Sequence, residues 1–177
     1  DGNLREYETR GAGLFSVTRG ARLHDLKLIN VRGKLVSDEN CFIAPFAGGT
    51  FDTEFSNLSV SGELELVSKN KMVGIAGVAG FGISTFDGCD VDMTLVHEDT
   101  LYDFHCESFL AGIICCGHGE MCNCTVNLRG YDSCFGYVHD GGMIGLHYEY
   151  DLVNGGRVSE INKGNDIRGF ITFFEKN

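Results

Sequence analysis

A strand-sized pattern recurs along this chain at nearly constant spacing, and few folds can hold such a pattern. Phe86-Asp87-Gly88-Cys89-Asp90-Val91-Asp92-Met93 and Met121-Cys122-Asn123-Cys124-Thr125-Val126-Asn127-Leu128 share one form: an apolar residue, two residues, Cys, then strict alternation of apolar and polar. Related forms stand upstream at Phe55-Ser56-Asn57-Leu58-Ser59-Val60-Ser61 and Leu23-His24-Asp25-Leu26-Lys27-Leu28. The steps from Leu26 to Leu58, to Cys89 and to Cys124 are 32, 31 and 35 residues. A period of this size belongs to arrays in which each repeat buries its apolar face against its neighbours.

Ankyrin and tetratricopeptide arrays have similar periods but are built of helical pairs, and no window here carries a 3.6-residue period. A propeller blade needs roughly 40 residues, more than this period offers. Short strands stacked turn on turn fit instead, and the expected fold is an all-β parallel β-helix of about five coils. Stacking predicts two interior columns: Leu26, Leu58, Cys89, Cys124, and beside it Leu28, Val60, Val91, Val126. The abundance of Gly (25) against a single Pro suits a chain that bends often yet keeps its strand N–H groups paired.

Four units follow in order. The first is Gly13 to Val17, a break at Gly20, a strand Leu23 to Val31 and a polar tip Lys34 to Asn40. The second is Phe42 to Phe46, a break at Gly48-Gly49, strands Phe55 to Val60 and Glu63 to Val67, and a tip Ser68 to Lys71. The third is Met72 to Val78, a break at Gly80 and Gly82, Phe86 to Val96 and an acidic tip His97 to Asp103. The fourth is Phe109 to Cys116, a break at Gly117 and Gly119, and Met121 to Leu128. A fifth opens at Gly141, so residues 1–147 read as repeats and 148–177 as a capping segment of the same domain.

These residues resemble the GLUG-type repeat of bacterial surface proteins. Gly13-Leu14-Phe15-Ser16-Val17 with Leu23 to Leu28, Ile75-Ala76-Gly77-Val78 with Phe86 to Val91, and Leu110-Ala111-Gly112-Ile113 with Met121 to Val126 carry the likeness. Asn123-Cys124 reproduces the family's Asn-Cys pair. The resemblance implies a right-handed parallel β-helix in secreted or cell-surface proteins, commonly adhesins or accessory parts of enzymes. Asp1-Gly2-Asn3, without Met, resembles a turn that often precedes the first such unit, so a larger parent chain is expected.

The formal charge is −11, which repels nucleic acid and anionic membrane, and no Lys/Arg cluster in the sequence offsets it. No apolar run approaches the roughly 18 residues needed to span a bilayer. The expected ligand is therefore a glycan or a surface protein, with end-to-end self-association, or packing on the rest of a parent chain, as a further possibility.

The ligand-binding residues expected are Ser59, Ser61, Asp90, Asp92, Thr125 and Asn127, which alternation places on one outward polar ladder. The alternative is a small polysaccharide hydrolase or lyase using Asp87, Asp90 and Asp92, since paired carboxylates serve as general acid and base on sugars or hold Ca²⁺. Cys115-Cys116-Gly117-His118 to Cys124 is dense in metal-ligating types, but no Cys-x2-Cys pair recurs at zinc spacing, so no metal or other cofactor is expected. Packed free thiols are the favoured reading of the eight cysteines, with a disulfide through Cys122 or Cys106 as the alternative. A cysteine beside a histidine in a strand faces the opposite side, which argues against thiol catalysis at His105-Cys106. The six histidines are scattered and read as surface or tip residues.

Overall fold

The computed structural model describes residues 10–69, 72–100, 107–134, 137–141, 144–147, 162–163, 166–169 and 172–173, apart from the side chains of His118 and of residues past Cys134. The molecule is a β-solenoid of about four turns. The first coil holds β1 (Arg10–Ala12), β2 (Phe15–Arg19), β3 (Arg22–His24) and β4 (Lys27–Ser37). The second holds β5 (Cys41–Ile43), β6 (Ala47–Ser56) and β7 (Ser59–Ser68), and the third β8 (Met72–Ala76), β9 (Ala79–Asp87) and β10 (Asp90–Asp99). The fourth holds β11 (Glu107–Ala111), β12 (Ile114–His118), β13 (Met121–Cys122) and β14 (Thr125–Asp132). Upon it lie β15 (Tyr137–Gly141), β16 (Ile144–His147), β17 (Asn162–Lys163), β18 (Asp166–Gly169) and β19 (Thr172–Phe173).

Every pairing among these strands is parallel. They form three sheets that run the length of the stack: β1-β5-β8-β11-β15; β4-β7-β10-β14 with β18 and β19; and β2 and β3 through β6, β9, β12 and β13 to β16 and β17. The strands described within 148–177 pair in parallel on β13 and β14, so they add to the stack.

Alternation decides which side chains enter the core. Along β10, Val91, Met93 and Leu95 are buried while Asp90 and Asp92 are exposed. The register then stacks like on like: Leu28 beside Val60, Val60 beside Val91, and Val91 beside Val126. Leu58, Cys89 and Cys124 line up two residues earlier, as the links Asp90 N to Leu58 O (2.7 Å) and Thr125 N to Cys89 O (2.8 Å) require. A third column runs Leu23, Phe55, Phe86, Met121, with the two phenyl rings stacked at 5.0 Å and 2°. Each such side chain contributes about 1.5–3 kcal/mol through burial.

The turns fall only partly where the glycines indicate: Gly20 separates β2 from β3 and Gly119 separates β12 from β13, as expected. Gly48, Gly49, Gly80 and Gly82 lie inside β6 and β9, not at breaks. All four have a packing reason, which is the Phe81 ring at Gly49 and the Gly48 carbonyl at Gly80. A Cβ on Gly48 would strike the backbone of Gly11 and Ala12 in the neighbouring sheet, and one on Gly82 (φ +128°) would strike the Thr50 carbonyl. The true corner precedes each strand of the long sheet, at Asp25, Asn57, Gly88 and Asn123, all left-handed (φ 56°, 51°, 64° and 53°). The expected strand Leu23 to Val31 is accordingly two strands, β3 and β4. The 35-residue step has one source: the connection from β10 to β11 is longer than that from β7 to β8, since Ser68 matches Asp99 but Met72 matches Glu107.

Candidate functional site

The polar ladder expected from the sequence lies on the outward face of the long sheet. Asp90 stands between Ser59 and Thr125, and Asp92 between Ser61 and Asn127. Thr94, between Glu63 and Arg129, extends the same face. Asp92 is the node of the ladder. Its Oδ1 accepts from Arg129 Nη2 at 2.5 Å and from Asn127 Nδ2 at 3.1 Å, both on the next coil. The Asp92–Arg129 pair is half-exposed on both sides, so its net stabilisation is about 0–1 kcal/mol. What it does is fix the orientation of two polar side chains on a rigid parallel sheet.

The rows further along the strands turn charged. Lys34 on β4 donates to Glu65 Oε1 at 2.6 Å, and Arg32 stands beside Glu63. These four residues and Gly33 line an open groove of about 410 Å³. The hydrogen bond to Glu65 moves the Lys34 ammonium above its usual range. Tyr131 sits on the same row as Val96, Glu65 and Lys34. Hydroxyls, one amide, four carboxylates, two guanidinium groups, an ammonium and one phenol thus share a face.

Asp87 is not part of this ladder. It ends β9, on a different sheet, and the Gly88-Cys89 corner separates it from Asp90. There its Oδ1 accepts from Asn123 Nδ2 at 2.8 Å. A related bond joins the first two coils, where the corner Asn57 Nδ2 donates to Asp25 Oδ1 at 3.2 Å. His24 and then Asn57 hold the Asp25 carboxyl below its usual range. This corner ladder ties turns together and faces solvent.

A buried polar cluster was not anticipated. His97, expected in an exposed tip, is 1% exposed, because β10 continues through it to Asp99 with unbroken alternation. Ser68 Oγ lies 2.8 Å from His97 Nε2, and His97 Nδ1 lies 2.8 Å from Asp132 Oδ1. Ser108 Oγ donates to Asp132 Oδ2 at 2.5 Å, and Cys134 N donates to Oδ1 at 2.8 Å. An ionised carboxylate only accepts, so toward Asp132 it is Nδ1 that carries the proton. The order Ser–His–Asp is that of a hydrolytic triad. However, Ser68 is fully buried and presents no hydroxyl to a substrate. The cluster is a satisfied core network that joins the second, third and fourth coils. The signal for it lay in the alternation: the inward phase set by Val60, Val91 and Val126 runs on to Ser68, to His97 and Asp99, and to Asp132.

Cys41, Cys89, Cys115, Cys116, Cys122, Cys124 and Cys134 are thiols, and the first four and Cys124 are buried. Cys106, named beside Cys122 as a candidate for the alternative disulfide, lies outside the described residues. Among the described residues no group of three or more His, Cys, Asp or Glu could hold a metal ion. Comparison with protein-family models, curated proteins and solved structures returns no match.

Proposed function

We propose that this chain is a non-catalytic β-helix module of a secreted or cell-surface protein that contacts carbohydrate through the outward ladder Ser59, Ser61, Asp90, Asp92, Thr125 and Asn127. In this reading the coils are right-handed, about five in number, and of the bacterial GLUG type. The observation that carries it is the register itself, which sets six short polar side chains in rows on one rigid face. Such side chains match the hydroxyls of a glycan, and a rigid sheet limits the entropy lost on binding. The acidic balance of the chain favours a neutral or cationic ligand over an anionic one.

The rival reading, a polysaccharide-acting enzyme using Asp87, Asp90 and Asp92, has less support. Asp87 lies around a corner, and Asp92 is engaged by Arg129 and Asn127. A glycan array tests the proposal. The variant carrying Asp90→Ala and Asp92→Ala should bind at least about 10-fold more weakly, equivalent to roughly 1.4 kcal/mol. Unchanged binding places the contact elsewhere. Reducing ends or unsaturated products released from polysaccharide would establish the enzymatic reading instead.

A further inference from the structure

The cysteines are the nucleophiles that the outward ladder leaves unused, and the register sets two of them against each other. Asp90 pairs with Thr125, and the Thr125 amide donates to the Cys89 carbonyl at 2.8 Å. Cys89 on the third coil and Cys124 on the fourth therefore occupy consecutive rungs of one interior column. Both are buried, at 1% and 0% exposure. Neighbouring strands lie about 4.8 Å apart. A disulfide joins Cα atoms about 4.4–6.8 Å apart, so one rung of the stack falls within its reach. The other cysteines placed in register have no such partner. Cys41 pairs with Arg10 and Val73, Cys116 with Phe81 and Leu146, and Cys122 with Asp87 and Lys163.

The two thiols also interact directly, and not symmetrically. The Cys89 thiol donates to the Cys124 sulfur, which holds Cys124 below the usual thiol range and, with burial, pushes Cys89 far above it. The thiolate is the attacking species in disulfide exchange. Cys124 is therefore the sulfur that attacks first, and Cys89, its proton donor, is the one placed to attack second.

We propose that Cys89 and Cys124 form a redox site that takes a small-molecule disulfide as oxidant and closes a disulfide between the third and fourth coils. The Cys124 sulfur attacks one sulfur of the small disulfide and forms a mixed disulfide. The first small thiol leaves with the Cys124 proton. Cys89 then attacks the Cys124 sulfur, and the second small thiol leaves with the Cys89 proton. The protein loses two electrons and two protons, and the small disulfide gains them. Both sulfurs are buried in the stacked molecule, so the exchange runs while the fourth coil is still off the third. The finished bond ties positions 35 residues apart and restricts the unfolded chain.

Refolding tests this site. Reduced protein unfolded in urea is diluted into a mixture of reduced and oxidised glutathione, and the remaining thiols are alkylated and counted by mass spectrometry. The refolded chain should carry two alkyl groups fewer than the reduced chain, and its peptide map should contain Cys89 joined to Cys124. Its urea midpoint should lie above that of the reduced chain, and reductant should close the gap. Cys122→Ala, at a half-exposed position, should keep the bond, and Cys89→Ala should lose it. Folded, reduced protein in the same mixture should cross-link more slowly than the refolding chain. A refolded chain that keeps all its thiols overturns the proposal, and so does a map that joins Cys124 to Cys122. The wild-type map decides between these outcomes even if Cys89→Ala fails to fold. Equal rates in the folded and refolding chains overturn the order of events, exchange before stacking.

Discussion

At the residue scale, the position most exposed to damage is Asp132. Its carboxylate satisfies His97, Ser108 and the Cys134 amide, and His97, Ser108 and Asp132 itself are buried. Removing the carboxylate leaves buried donors without their acceptor, at a cost of about 1–3 kcal/mol each. Asp132→Ala should therefore lower the unfolding free energy by about 3 kcal/mol or more in urea denaturation. Ser68→Ala removes only the outermost hydroxyl of the chain and should cost about 1 kcal/mol. Equal, small losses from both would mean that the network does not hold the three coils together. His97 also marks where reading the sequence stopped too soon. Polar residues after Val96 resemble a tip, yet the inward phase set by Val91, Met93 and Leu95 predicts His97 and Asp99 as interior residues. Stacked coils bury a polar residue when neighbouring coils supply its partners, and those partners are 29 and 35 residues away.

At the scale of the element, the corner and the strand had unequal visibility. The interior columns were legible, because like apolar residues recur at the coil period, and the register confirms them. The corners were not, because glycine stood for a bend in the sequence while the backbone used it for close approach, as at Gly48. The corner residues are instead Asp, Asn, Gly and Asn, the types that adopt left-handed backbone at least cost. This gives a test with opposite signs of expectation. Asn123→Ala keeps the corner in a conformation that costs an ordinary residue about 1–2 kcal/mol, and also removes the bond to Asp87, so thermal unfolding should shift down by several degrees. Asn123→Gly relieves the backbone and loses only the exposed bond, so it should stay close to wild type. If the two variants unfold alike, the left-handed turn is not what Asn123 provides.

For the whole molecule, the polar ladder was placed correctly as rows, because outward position follows from the same alternation that fixes the core. The ion pair from Arg129 to Asp92 was not visible, since it runs diagonally between rows. The stacked thiols carry the last prediction. Burial pushes the Cys41 thiol up, and the Cys124 thiol beside it, then burial, push Cys89 far up. Within the pair Cys89–Cys124 the hydrogen bond from Cys89 moves Cys124 the other way, downward, so Cys41 and Cys89 are the thiols whose protons the fold holds. Unfolded thiols release their protons near pH 8.5. The folded state holds those protons more tightly, so their contribution to stability is complete below about pH 8.5 and declines as pH rises above it. Between pH 8.5 and 10, in reductant, the unfolding free energy should fall with a slope approaching about 1.4 kcal/mol per pH unit for each such thiol. The raised Lys34 adds its own decline only higher, above about pH 10.4, the unfolded lysine value. The variant with Cys41→Ala and Cys89→Ala should start less stable, from lost packing, yet show a flatter slope in that window. A slope that the double substitution leaves unchanged would mean that the stacked thiols are not what makes this solenoid sensitive to alkali.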